Sequence, residues 1–328
     1  MRFAAAAAIL GVLVGCSREP RTTDIRPAEK STTEQKVPSP YGADFWQTWG
    51  DGQAEVAAYD LTMPRYGQAR KGTAIAITVS EPFSNSARVK ADEGKHSGAD
   101  VFSAMKLNLI REYQTGIYNY NDMLSVFVAL EDVNRRAAGK ATKITFSSQE
   151  WCGHVWSELL FGPARIEQVR HSYFDGEGDS QRVIEEHSSG IPEDTLMLAA
   201  RRIAWPRLRL GQSYVVHVLT SLETERAQHV GLRFFPATLF LSKVRRTTTV
   251  PAGSFRTNEF RVKREDGFTW TYSVEADPPF RVIRWENSTG EHAELIGSAR
   301  MKYWEMNAEG GEKALEKLGL TRRGPRMP

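Results

Sequence analysis

The sequence predicts an all-β, mainly antiparallel fold: a large curved meander sheet, half-barrel or barrel-like, with one or two short helices. Three observations carry this expectation. Apolar side chains recur at every second position, turn-forming residues punctuate these runs at strand-length intervals, and patterns for crossover helices are scarce. In residues 73–79, Ile75, Ile77 and Val79 share one face, and in 268–275 Phe268, Trp270, Tyr272 and Val274 do the same. Successive side chains of an extended chain point to opposite sides, so such stretches are half-buried strands. Many strands with almost no crossovers exclude a parallel α/β sheet. They must curl to hide one face and to limit open edges.

The chain begins with the layout of a secretory signal over residues 1–15. Arg2 supplies the positive start, and Phe3 to Val14 form an apolar run too short to span a bilayer. The run ends in Leu13-Val14-Gly15-Cys16, which resembles the lipobox of bacterial lipoproteins. That resemblance implies cleavage before Cys16 and acylation of its thiol. Each buried methylene adds about 0.8 kcal/mol, so several acyl chains hold almost permanently. No other window approaches the ~20 apolar residues of a spanning helix. The expectation is an exported protein held to the cell envelope by its anchor. Ser17, where an Asp would resemble an inner-membrane retention signal, favours the outer membrane.

Residues 16–41 read as a disordered tether. Between 17 and 40 there are four prolines, many charges and no aromatic residue, too little apolar surface to offset the entropy of ordering. Its root-mean-square reach is on the order of 25–30 Å. Beyond it, 41% hydrophobic and 10% aromatic residues, with eight tryptophans in 328 residues, supply a sizeable core. Removing the leader takes one of the 43 basic residues, Arg2, and none of the 40 acidic ones, which leaves a net charge of +2. That balance argues against a nucleic-acid partner. With Cys16 committed to lipid, Cys152 has no partner for a disulfide.

Order is expected from residue 42 in one large β domain, 42–308, with a split near 192–206 as the alternative. Asp44 is placed to cap a short helix carrying Phe45, Trp46 and Trp49. Strands are expected near 54–64, 70–81, 101–113, 120–131, 141–157, 164–174 and 180–187. One helix interrupts them: Pro192 opens it, Glu193 and Asp194 suit its first turn, Arg201 and Arg202 its end, and Trp205-Pro206 stops it. Further strands near 238–250, 254–264, 268–276, 280–287 and 291–304 are separated by Pro251-Ala252-Gly253, Asp266-Gly267, Asp277-Pro278-Pro279 and Ser288-Thr289-Gly290. Turn chemistry at this spacing implies an antiparallel meander. Residues 309–328 read as a short helix, 312–318, and a basic tail.

The densest polar cluster is Glu150, Cys152 and His154. Alternate residues of one strand share a face, and Ile144 and Phe146 have the same parity. This trio suits a ligand pocket, a metal site or an activated thiol. His171 and Asp175 join His154 in a zinc site if the strands near 150 and 171 pair. Asp175, Glu177 and Asp179 alternate with glycines, either to wrap a calcium ion with oxygen ligands or to make a hairpin turn. Trp270, Tyr272, Phe280, Trp285, Tyr303 and Trp304 either line a cavity or build an ordinary core. Arg201, Arg202, Arg207 and Arg209 flank Trp205, either to meet lipid phosphates or as a solvated helix face. No Gly-x-Ser-x-Gly elbow, His-Glu-x-x-His helix, phosphate loop or dinucleotide fingerprint occurs, so no catalytic residue and no cofactor is assigned.

Two stretches carry resemblances. Gln149-Glu150-Trp151-Cys152-Gly153-His154 and His171-Ser172-Tyr173-Phe174-Asp175-Gly176-Glu177-Gly178-Asp179, preceded by Arg65-Tyr66-Gly67 and Thr115-Gly116-Ile117-Tyr118, resemble a family of uncharacterised exported bacterial lipoproteins. Some of its members carry the label septum formation inhibitor Maf. True Maf proteins are cytoplasmic pyrophosphatases with a Ser-Pro-Arg-Arg type motif, which this chain lacks, so the resemblance transfers no catalytic residue. Val250-Pro251-Ala252-Gly253-Ser254-Phe255 and the hairpins after it are similar to an exported family sharing the half-barrel of the LolA and LolB lipoprotein carriers. This implies a curved sheet with a concave apolar face suited to acyl chains or a hydrophobic partner segment. The expected function is therefore a non-enzymatic envelope lipoprotein that binds a hydrophobic ligand or an envelope protein. The alternative is an envelope hydrolase or metal-binding protein centred on Glu150, Cys152, His154 and His171.

Overall fold

Period-two burial is clear in strands such as 141–150, 153–161 and 269–275 of the computed structural model, which describes residues 39–321, whereas 54–59 is buried on both faces. The leader, Cys16, the tether to residue 38 and the tail 322–328 lie outside the described residues. After α1 (Ala43–Trp49) come β1 (Ala54–Arg65), β2 (Gln68–Ser84), β3 (Val101–Thr115), β4 (Tyr118–Ala129), β5 (Ala141–Glu150), β6 (Gly153–Phe161), β7 (Arg165–Ser172) and β8 (Ser180–Glu185). Each of β1 to β7 pairs antiparallel with the next strand. A second series follows: β9 (Gly190–Pro192), α2 (Leu196–Ala200), β10 (Ser213–Leu219), α3 (Leu222–Gln228), β11 (Phe234–Leu241) and β12 (Arg246–Val250). It continues with β13 (Gly253–Arg264), β14 (Thr269–Glu275), β15 (Val282–Asn287) and β16 (His292–Met301).

All sixteen strands belong to one mostly antiparallel sheet, because β16 pairs with β1 and joins the two series. The only parallel pairing among the described residues is β9 with β10. The sheet's path ends at β8 on one side and β9 on the other, with β12 lying beside β13 off the path.

The inner face carries Tyr59, Leu61, Met105, Leu107, Val126, Phe146, Leu159, Phe260, Val262 and Trp285, all buried. What they pack against is the chain itself. From residue 191 to 204 every residue except Arg202 is buried, through the 3-10 turn Glu193–Thr195 and α2. This inner segment is held at both ends by buried ion pairs. Arg201 forks onto Glu55 of β1 at 2.7 and 2.9 Å and also donates to Thr78 and the Pro279 carbonyl. Glu193 accepts from Arg264 at 2.7 Å and from the Trp270 indole at 3.0 Å. A smaller apolar cluster lies on the outer face, where Val56, Ile77, Val79 and Met301 meet Leu318 of the C-terminal 3-10 segment Gly311–Leu318.

Several local expectations are corrected. The strand expected over 141–157 is two strands, since Trp151 and Cys152 form the turn that pairs Glu150 with Gly153. The run 238–250 is likewise β11 and β12, and 291–304 ends at Met301. Gly42, not Asp44, is the N-cap of α1; Asp44 sits in the first turn, where a negative charge meets the positive end of the helix dipole. The helix at 192–206 is one 3-10 turn and five α residues, and its arginines do not form a solvated face. Arg201 is buried against Glu55, Arg202 lies over Phe280, and Arg207 over Tyr41. The strands 190–192 and 213–219 and the helix 222–228 were not anticipated.

Removing one partner of a buried ion pair leaves the other charge uncompensated. Arg201→Leu is expected to cost about 3–5 kcal/mol in denaturant unfolding, and Glu55→Leu added to it to recover most of that loss.

Candidate functional site

The structure separates the residues singled out by sequence. Glu150, at the end of β5, turns inward, where its carboxylate lies 3.4 Å from Arg226 and accepts from the Cys152 backbone N–H at 2.6 Å. Cys152 is exposed at the turn tip, and the neighbouring Glu150 carboxylate pushes its thiol up, away from the thiolate a nucleophile requires. His154 is exposed on the outer face, paired in register with Gln149. The trio therefore does not share a face, because the turn at 151–152 resets the parity of the strand. Gly153 is where that turn meets the next hairpin: a Cβ there would lie 2.4 Å from the Tyr173 ring.

The pairing of β6 with β7 places His171 opposite Trp156, stacked on it, with its Nδ1 2.9 Å from Asp179. Asp175 is exposed in the turn between β7 and β8. Glu177 folds the other way, onto Arg170, His229 and Ser172. Burial would raise its carboxyl, but those hydrogen bonds hold it below the usual range. Asp175, Glu177 and Asp179 thus point to three different places, as a hairpin turn allows and a cation cage does not. No group of three or more metal-ligating side chains converges among the described residues.

The densest polar constellation is one that sequence reasoning missed. It surrounds α3, which is capped by Ser221 accepting from the Thr224 N–H and sends Glu223, Glu225 and Arg226 inward. Glu223 meets Arg111 of β3 at 2.5 Å, and Arg111 also lies 3.3 Å from Glu291. Glu225 accepts from Gln168 at 2.7 Å and pairs with Arg170 and Arg182. Asp122 and Asp194 complete the cluster; Asp194 accepts from the Leu222 N–H at 3.4 Å. A signal for α3 was present in the sequence, a Ser cap followed by two acidic residues in the first turn.

One arginine, Arg111, thus faces several buried carboxyls, and their protons respond. Burial and the adjacent Glu193 push Asp194 up to about 7. Burial, only partly offset by Arg111, raises Glu223 as well, and burial raises Asp122. Two chambers of about 30 Å³ flank Glu223, one bounded by Trp270 and Tyr272, the other by Tyr113 and Tyr120. Each has room for about one water. Trp270, Tyr272 and Trp285 are therefore core residues, and the concave apolar cavity expected for acyl chains is filled by residues 191–204.

The large open site lies on the opposite side of the sheet. A groove of about 860 Å³ runs between the outer faces of β1, β2 and β3 and the C-terminal segment, walled by Val56, Ile75, Ile77, Ile110, Met301 and Leu315. Of the aromatics expected at a cavity, Tyr303 lines this groove, Trp304 is exposed, and Phe280 lies beneath Arg202. Gly297 of β16 lets the segment sit close, since a Cβ there would lie 2.5 Å from the Leu318 backbone.

A carboxyl whose native pKa is raised holds its proton more tightly folded than unfolded. Its stabilising contribution is complete below the ordinary range and is lost as pH rises through the native value. For Asp194 that window runs from 3.8 to about 7. Carboxyls lowered in the fold, Glu177 and Asp266 among them, act oppositely but only in the acid range below. Calorimetry should therefore give a higher Tm at about pH 5 than at about pH 8. Asp194→Asn should flatten this difference and stabilise the protein at the higher pH. The Cys152 thiol should alkylate more slowly at neutral pH than a free cysteine, and Cys152→Ser should change stability by less than about 0.5 kcal/mol.

No family model matches the chain, and no curated protein matches it. Among solved structures it is similar to the crystal structure of a beta-barrel-like protein of a domain of unknown function, DUF1849, from Brucella abortus. That similarity has 10% sequence identity and a TM-score of 0.44, over 76% of this chain and 98% of that one.

Proposed function

We propose that the protein is a non-enzymatic lipoprotein of the cell envelope that holds an acyl chain in the groove on the outer face of its sheet. The observation that carries this reading is the groove itself. About 860 Å³ lies within the range of small-molecule sites, roughly 300–1,000 Å³, and its walls are mostly aliphatic. An elongated apolar ligand suits this lining. Its polar side chains, Thr73, Glu112, Asn307, Glu312 and Thr321 among them, are divided between β2, β3 and the C-terminal segment and are outnumbered by the aliphatic ones.

Two carboxylates, Glu112 and Glu312, also line the groove, so its charge does not select an anionic lipid. The lipobox at Cys16 supports the location, since a protein anchored by acyl groups works beside a reservoir of such ligands. Against an enzymatic reading stand the exposed, up-shifted Cys152 thiol and the dispersal of Glu150, His154 and His171.

Native mass spectrometry of protein extracted from membranes, with displacement of a fluorescent fatty acid, tests the proposal. Co-purifying lipid is expected, and Ile75→Trp, which fills the groove, should weaken probe binding about tenfold or more while Tm stays near that of the parent. Protein free of lipid, or probe binding indifferent to Ile75→Trp, would overturn it.

A further inference from the structure

A second cavity, of about 430 Å³, opens where the two ends of the sheet come together. It is bounded by the turn before β5, the link from β6 to β7 at 163–164, and the link from β8 to β9 at 186–188. Four cationic or titratable side chains enter its lining: Arg135, Arg136, Lys140 and His187. Its one carboxylate, Glu186, is already engaged. Arg136 grips it with both Nη atoms, at 2.6 and 3.0 Å, and spends its other donors on the Ala141 and Gly162 carbonyls.

Neither of the remaining cations, Arg135 and Lys140, is ion-paired among the described residues, although Glu186 attracts Lys140 at longer range. Arg135 has no hydrogen bond or ion pair among the described residues. Lys140 is half-buried, donates to the Gly190 carbonyl at 3.1 Å and lies 3.5 Å from the centre of the Trp205 ring. No carboxylate lies within ion-pair distance of it, and its burial pushes the ammonium down to about 8. The His187 ring stacks on His217 at 3.5 Å and shares its Nδ1 with the Ser189 hydroxyl.

The backbone adds an independent observation. Val133 and Arg136 bridge across Asn134 and Arg135, which have φ of 48° and 60°. Two positive φ values between bridged residues make a tight turn whose second central position favours glycine. Here that position holds arginine at a φ of 60°, a conformation that costs a residue with a Cβ some strain.

We propose that this cavity binds a phosphate-type dianion, with Lys140 and Arg135 supplying the positive charge and His187, whose Nδ1 accepts from the Ser189 N–H, offering its Nε2–H as a neutral donor. The donors come from two separate segments, the turn before β5 and the link from β8 to β9. A tetrahedral oxyanion takes donors from several directions, whereas a carboxylate is matched by a planar fork, and the fork here, Arg136, is occupied by Glu186. The phosphate is either free in solution or the headgroup of a lipid.

The test uses the full acylated protein in detergent, with lysines labelled as ¹³C-dimethyl derivatives. Inorganic phosphate is expected to shift the Lys140 resonance and to raise its titration midpoint, while succinate at the same ionic strength leaves both in place. Arg135→Gly should weaken phosphate binding, read by calorimetry, about tenfold or more while raising Tm, since it removes a charge and a strained backbone together. Lys140→Met should abolish binding. A Lys140 resonance also moved by phosphatidate nanodiscs, and not by phosphatidylcholine ones, identifies a lipid headgroup as the source; movement by free phosphate alone identifies a soluble ligand. A resonance unmoved by either, or Arg135→Gly binding like the parent, overturns the proposal.

Discussion

A sheet curved this strongly leaves a space along its axis, and the fold depends on how that space is filled. Residues 191–204 lie inside it, fastened by Arg264 to Glu193 at one end and by Glu55 to Arg201 at the other. Leu196, Leu198, Ile203 and Ala204 give the inner strands an apolar surface to pack on. The ion pairs fix where that surface sits. Buried pairs contribute little net stability compared with apolar contacts of the same volume, but each tolerates only one position of its partner. Sliding the segment by one residue would strand two carboxylates and two guanidinium groups in the core.

The same constraint governs how the ends of the sheet meet. The strands at the two ends of its path, β8 and β9, are not paired with each other by backbone hydrogen bonds. Side chains bridge them instead: α3, which follows β10, reaches Gln168 and Arg170 of β7 and Arg182 of β8 through Glu225. Covering this opening with a helix places Glu223 and Arg226 inside as well, against Asp122, Arg111 and Glu150. The interior becomes a closed, charged and nearly solid body. Its raised carboxyl pKa values follow from burying several acids around few arginines, in a region with room for only one or two waters.

With the interior filled, the large open groove lies on the outside. The groove under the C-terminal segment exists because the outer faces of β1 to β3 carry Val56, Ile75, Ile77 and Ile110, residues too apolar for a solvent face and not fully covered by Leu315 and Leu318. At the seam, the electrostatic situation is the reverse of the core. Carboxylates outnumber their counter-charges around Arg111, whereas Lys140 and Arg135 stand beside the single carboxylate that Arg136 has already neutralised. The groove lies over the middle of the sheet's path, beside the junction of β1 with β16, and the seam cavity lies at its unjoined ends.

The sequence alone determined the class of fold and most of its strands, because alternation of apolar residues and the chemistry of turns are local. Phe268 to Val274 and Asp266-Gly267 show their structure within ten residues. Locality also explains the errors. The Glu150, Cys152, His154 pattern is sound along a strand, and a two-residue turn at Trp151 and Cys152 was enough to send the three side chains apart. Only the tertiary structure decided that 191–204 is the inside of the molecule, that Arg111 and Glu223 meet across 112 residues, and that the open groove lies on the outer face. Burial of a charge is affordable only beside its partner, and which partner that is depends on how the whole sheet curls, a property no short window of residues contains.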